Sequence, residues 1–204
     1  MKSFLHALVL GVYSISANAM LIDRGGGFIY DDVLGITWTQ DANIDGFGGF
    51  RTWDNQVAWA ADLSIVDTRP GAGGVTYSDW RLPSLDVNGD ATIIFCSSAT
   101  ELACRDNEFG YMFFQNGVTA ATPGLFINVE SHPYWSGTEL AGDPANAWSF
   151  AFDFNGEQLA GNKVGINFGW AVRLGDVAAI PVPAAVWLFG SALGLLGWIR
   201  RKAT

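Results

Sequence analysis

Three short stretches carry the residue types best suited to chemistry. Asp86-Val87-Asn88-Gly89-Asp90 sets side-chain oxygens at alternate positions, the opening of a loop able to hold a hard cation such as calcium. An EF-hand loop would continue with glycine at its sixth position and glutamate at its twelfth. Here these are Ala91 and Ser97, so that motif fails, and the alternative is an Asx-type turn before a strand at Thr92–Phe95. In the second stretch Trp135, Glu139, Asp143 and Asn146 lie close to Trp148 in a segment bearing glycine and proline. Aromatic faces stack on the C–H surfaces of sugars while carboxylates and amides bond their hydroxyls, so this set is the candidate carbohydrate site. The competing reading makes the tryptophans core residues, above all Trp148 and Trp170, which fall in alternating strand patterns. The third stretch holds Cys96 and Cys104. Two cysteines without an adjacent histidine cannot complete a structural zinc site, and their spacing is not that of a C-x-x-C redox pair. In an oxidising compartment a disulfide is the favoured reading.

Signs of catalysis are weak. His6 lies in an N-terminal export signal, which leaves His132, before Pro133, as the one histidine of the mature chain. One histidine among scattered serines is no triad signal, and adjacent acids such as Asp31 and Asp32 are usually solvated turn residues. The expected role is therefore non-catalytic.

Around these stretches the elements can be placed. Phe28–Tyr30 and Gly35–Trp38 flank Asp31-Asp32 as an opening β-hairpin. Trp53, Val57, Ala60 and Ala61 have helical spacing behind Thr52 as N-cap, with Asp54 in the first turn. A Pro/Gly loop covers 69–74, and a second helix is expected over Glu108–Gln115, ending before Gly117. Trp148, Phe150, Phe152 and Phe154 alternate with Ala147, Ser149, Ala151 and Asp153 as a strand, and Asn155-Gly156 then marks a tight turn. Trp170, Val172 and Leu174 alternate again. Strands at both ends with helices between them indicate an α+β fold.

The 204 residues suffice for one domain plus extra segments, and 14 Phe, 9 Trp and 5 Tyr supply a core, which argues against disorder. All 20 Asp and Glu lie between Asp23 and Asp176 against seven basic residues, so that segment carries −13. Such a surface repels phosphate, and a nucleic-acid partner is not expected. The mean hydropathy of +0.21 is raised by the two ends. Lys2, an apolar run from Phe4 to Ile15 and Ala17-Asn18-Ala19 form a secretory signal peptide over residues 1–19, with cleavage expected after Ala19. Residues 184–199 are uncharged and mostly apolar, a helix of about 24 Å, and Arg200-Arg201-Lys202 follow. The positive-inside rule puts those basic residues in the cytoplasm and the preceding domain outside.

The tail from Ile180-Pro181-Val182-Pro183-Ala184 through the apolar span to the basic cluster resembles a PEP-CTERM sorting signal of Gram-negative bacteria, in its Val-Pro-x-Pro-Ala variant. The resemblance implies recognition around Pro181, Pro183 and Ala184 by an exosortase, and handling with exopolysaccharide or biofilm material. The chain would stay tethered to the inner membrane with its domain in the periplasm, or be processed and released to the surface or matrix.

The segment between the two ends resembles a second family. The landmarks are Leu21 to Asp32, Trp53 to Leu63, Asp79-Trp80-Arg81-Leu82-Pro83-Ser84, Tyr134-Trp135-Ser136-Gly137-Thr138-Glu139, and Gly169-Trp170-Ala171-Val172-Arg173-Leu174-Gly175-Asp176. In this order they resemble the Lcl C-terminal-domain family, named for a collagen-like bacterial adhesin, over about residues 21–177. That family is similar to the C-type-lectin-like fold, which implies paired N- and C-terminal strands and two helices beside a long-loop region. The Trp-Asn-Asp motif of true C-type lectins is absent, and Cys96 and Cys104 do not match the cysteine positions of formylglycine-generating relatives. Within the landmarks, Trp80 and Trp135 are candidates to hold loops to the sheet, and Arg81 and Arg173 to pair with carboxylates such as Asp79 or Asp176. The expected partners are secretion machinery, the membrane and a polysaccharide, with residues 20–177 as the exported domain and 178–204 as the sorting segment.

Overall fold

The computed structural model describes residues 20–44, 49–153 and 155–177. The predicted signal peptide with Ala19, and the predicted sorting segment with Pro181, Pro183, Ala184 and the 184–199 helix, lie outside them. Among the described residues no helix is long and apolar enough to cross a membrane.

Among the described residues nine strands and three helices build a mixed α+β domain in which sheet dominates. β1 (Leu21–Gly25), β2 (Phe28–Asp31), β3 (Ile36–Thr39) and β9 (Val172–Leu174) form an antiparallel sheet in the order β1-β2-β3-β9. The first and last described strands thus share one sheet, with β9 against β3 rather than against β1. Only β2 and β3 match the expected hairpin. β1 escapes sequence reading because no residue in it is fully buried, so it shows no apolar face.

β2 and β3 are covered on both sides, which is why their residues are nearly all buried instead of alternating. On one face the paired Ile29 and Trp38 enter the main core with Phe109, Tyr134, Phe150, Phe152 and Trp170. On the other, Phe28 lies parallel to Trp80 at 6.2 Å and edge-on to Tyr77 at 5.6 Å. β4 (Ile65–Val66) and β5 (Thr76–Tyr77) make the small ribbon that carries Tyr77.

The third sheet is β6 (Pro133–Glu139), β7 (Asn146–Ala151) and β8 (Glu157–Asn162), all antiparallel. β7 is the strand read from alternation, but it ends at Ala151. Phe152 leaves the ladder, gives its carbonyl to the Ala120 N–H and buries its ring in the core. Asn155-Gly156 closes the β7–β8 hairpin, with Ala151 opposite Glu157 and Gly156 at φ +63°.

α1 (Trp53–Asp62) begins after Thr52 as expected, although the threonine side chain makes no capping bond. The orphan N–H of Trp53 instead donates to the Lys163 carbonyl, pinning the helix to the end of β8. Gln56 and Trp59 of α1 press on Gly169 so closely that any Cβ there would collide with both. α3 (Glu108–Phe114) matches the second expected helix, capped by Asn107, whose side-chain oxygen accepts from the Gly110 N–H at 2.8 Å. Just before it lies an unforeseen single turn, α2 (Glu101–Cys104).

The strand expected over Thr92–Phe95 does not form. Ala91 sits at φ +64°, the Thr92 N–H goes to Asp90 and the Ile94 carbonyl goes to the Asn107 side chain, so no ladder remains to be made.

Candidate functional site

The four residues of the predicted sugar site do not converge. Trp135 is 1% exposed, and its indole N–H donates to the Arg51 carbonyl at 3.1 Å. It packs with Ala60, Leu82 and Ala147 between α1 and the third sheet. Its role as a sugar-stacking face is corrected to that of a core residue, because a ring enclosed on both faces has none to offer a ligand. Glu139 is exposed and accepts from the Lys163 ammonium at 2.6 Å. Asp143 and Asn146 bond each other at 2.6 Å and close the β6–β7 connection.

The predicted calcium residues are knotted into a turn. The Asp86 carboxylate accepts N–H bonds from Gly89, Asp90 and Ala91, Asn88 accepts from Asp90, and Asp90 accepts from Thr92. This is the hydrogen-bond pattern of Asx turns. Asp106 is the member that sequence reading missed. Its carboxylate accepts from the Asn88 N–H at 2.8 Å, and oxygens of Asp86, Asp90 and Asp106 lie within 4.8 Å of one another. Sixteen residues separate Asp90 from Asp106, so no local spacing could have signalled it. Cys96 and Cys104 form the expected disulfide below this loop, against Tyr111.

Of the acidic pair Asp31-Asp32, Asp31 is fully buried, and burial pushes its carboxyl above the usual aspartate range. Its oxygens accept from the Val33 and Leu34 N–H groups and from the Asn116 amide, which makes it the anchor of the β2–β3 turn. Among the described residues no hydrogen bond links His132 to a serine or a carboxylate.

The concave surface lies elsewhere. A groove of about 390 Å³ runs between α1 and the segment leading into Leu82, lined by Trp53, Val57, Trp80, Arg81, Ser84 and Gly137 among others. Both indole N–H groups are already bonded, Trp53 to the Ser136 carbonyl at 2.8 Å and Trp80 to the Tyr77 carbonyl at 2.9 Å. Trp53, half-buried, offers apolar ring surface, while Trp80 is nearly closed off and only backs the groove. The Lys163 ammonium sits 4.1 Å from the Trp53 ring centre, a cation–π contact that fixes the ring.

Arg81 is the only charged side chain lining the groove among the described residues, and its charge is matched. Its guanidinium donates to both oxygens of Glu108 at 2.7 and 2.6 Å, and Glu108, itself 2% exposed, also accepts from the Ser84 N–H. Sequence reading foresaw a carboxylate partner for Arg81 but offered Asp79 or Asp176. Those belong to Arg173 and Arg24 respectively. Arg81 and Glu108 are 27 residues apart and meet only because α3 packs under the Trp80–Leu82 segment.

No curated protein matches this sequence. The profile of the Lcl C-terminal domain matches residues 27–173, which span all the described elements except β1 and the end of β9. This chain belongs to the Lcl C-terminal domain family.

Proposed function

We propose that the chain is an exported, non-catalytic surface or matrix protein that binds polysaccharide through the Trp53–Trp80 groove. The observation that carries this reading is an indole-lined recess whose one charge is neutralised internally. A groove of this size suits one or two sugar rings. Apolar ring surface favours the C–H faces of a pyranose. Because Glu108 already balances Arg81, a neutral polymer fits better than a sulfated or uronic one, which would also face a domain of −13. The tail with Pro181, Pro183 and Ala184 supports sorting by an exosortase and delivery beside exopolysaccharide.

The test is retention of the full-length chain on immobilised neutral and acidic polysaccharides. Retention on a neutral polymer, weakened about tenfold by Trp53→Ala, is the expected result. Equal retention of the Trp53→Ala chain, or retention on acidic polymers alone, would overturn the assignment to this groove. A chain that binds none of them is better read as a structural component of the surface.

A further inference from the structure

A second cavity, of about 530 Å³, opens where the segment after β3 meets the approach to β6. Phe50 and Phe168 form its aromatic wall, their centroids 4.1 Å apart, and His132 stands edge-on to Phe50 at 5.0 Å. Phe50 remains 38% exposed, so part of its ring is open to a ligand. The opposite side is polar. Asn43, Asn128 and Glu130 line it, and Asp41 stands behind them, accepting from the Asn43 N–H and the Asn128 amide. Asn128 holds a left-handed backbone at φ +56°.

The charge balance here is opposite to that of the groove. Among the described residues lining the cavity there are one carboxylate and one imidazole, Glu130 and His132, and no lysine or arginine. Glu130 accepts one long bond from the Asn43 amide at 3.4 Å, and among the described residues it makes no ion pair. Six of the seven basic residues between Asp23 and Asp176 are committed to other carboxylates, namely Arg24, Arg69, Arg81, Arg105, Lys163 and Arg173. A partly buried carboxylate facing aromatic rings is the chemistry that recognises an ammonium group, by charge-assisted bonding on one side and ring quadrupoles on the other.

We propose that this cavity is a binding site for an amino sugar, with the ammonium group held by Glu130 against Phe50 and the ring hydroxyls by the Asn43 and Asn128 amides. The cavity is wide enough to admit a pyranose. The two side-chain amides, each both donor and acceptor, match vicinal hydroxyls, which a lysine lacks. The site is independent of the Trp53 groove and does not rest on its assignment.

Calorimetric titration of the full-length chain with glucosamine, glucose, N-acetylglucosamine and Nα-acetyl-lysine amide at neutral pH tests it. Glucosamine should bind in the millimolar range, about tenfold or more tighter than the three others. Glu130→Gln, which keeps the shape and the Asn43 bond, should weaken glucosamine about tenfold, whereas Trp53→Ala should leave it unchanged. Equal affinity for glucose and glucosamine would remove the ammonium from the proposal. Equal or tighter binding of the lysine amide would overturn the sugar. Loss on Trp53→Ala but not on Glu130→Gln would move the site to the groove, and no heat from glucosamine up to about 50 mM would exclude it. Near-ultraviolet circular dichroism of both variants separates lost binding from lost packing.

Discussion

Trp38, Phe109, Phe126 and Trp170 pack ring on ring, with centroids 4.9 to 6.4 Å apart and at most 2% exposure. Between Asp86 and Asp106 the same chain leaves Val87 53%, Phe95 55% and Leu102 72% exposed, and holds its course by aspartate-to-backbone bonds and one disulfide. The first region gains from area withdrawn from water, which accumulates over many residues distant in sequence. The second gains from local bonds worth about 1 kcal/mol each net, and from a cross-link that restricts the unfolded chain. One region should respond steeply to a lost side chain and the other only mildly.

Trp170→Ala is the severest way to test that contrast. Its indole N–H donates to the Thr39 carbonyl, and its ring touches five other aromatic rings, so the expected loss is about 3–5 kcal/mol. Urea denaturation checks it, and a loss below about 1 kcal/mol would mean that the core is not the main source of stability. Asp67→Asn comes next. Asp67 and Arg69 form a buried ion pair beside the β4–β5 ribbon, polar like the loop yet enclosed like the core. Removing the Asp67 charge from this pair should cost about 3 kcal/mol. The Arg69 guanidinium holds the Asp67 carboxyl below its ordinary 3.8, so the pair's contribution is complete above that pH and is lost as pH falls through the lowered value. Acid titration of stability should show this component in the parent and not in the variant.

Replacing Cys96 and Cys104 together by serine should cost about 2–3 kcal/mol, and reductant should reproduce the loss in the parent alone. A larger effect, comparable with Trp170→Ala, would show that the loop is part of the cooperative core. The smallest change is expected from Asp86→Ala, about 1 kcal/mol. Its clearest sign is faster hydrogen exchange at Gly89, Asp90 and Ala91, whose N–H groups lose their acceptor. Unchanged exchange at those three amides would show that other contacts hold the turn.

The comparison also explains what was legible before any coordinates. β7 and the 108–114 helix could be read because their apolar spacing is local and repeats. β8, with no buried position except its partly covered ones, has no such period and was missed. The Asp86–Asp90 turn was readable as an alternative because its donors and acceptors lie within five residues of each other. The candidate ligand surfaces were not readable. Trp53 looked like one turn of an amphipathic helix, and Phe50 and His132 carried no pattern linking them across 82 residues.

Taken alone, the sequence determined the alternation of β7, the position of two helices, the pairing of its two cysteines and the excess of acid, all of which depend on residue type and near neighbours. Only the tertiary structure decided that Trp135 is enclosed while Trp53 is half-open, that Arg81 belongs to Glu108, and that Asp106 closes the turn begun at Asp86. Those outcomes depend on which elements pack together across tens of residues, and burial is a property of that packing, not of the side chain itself.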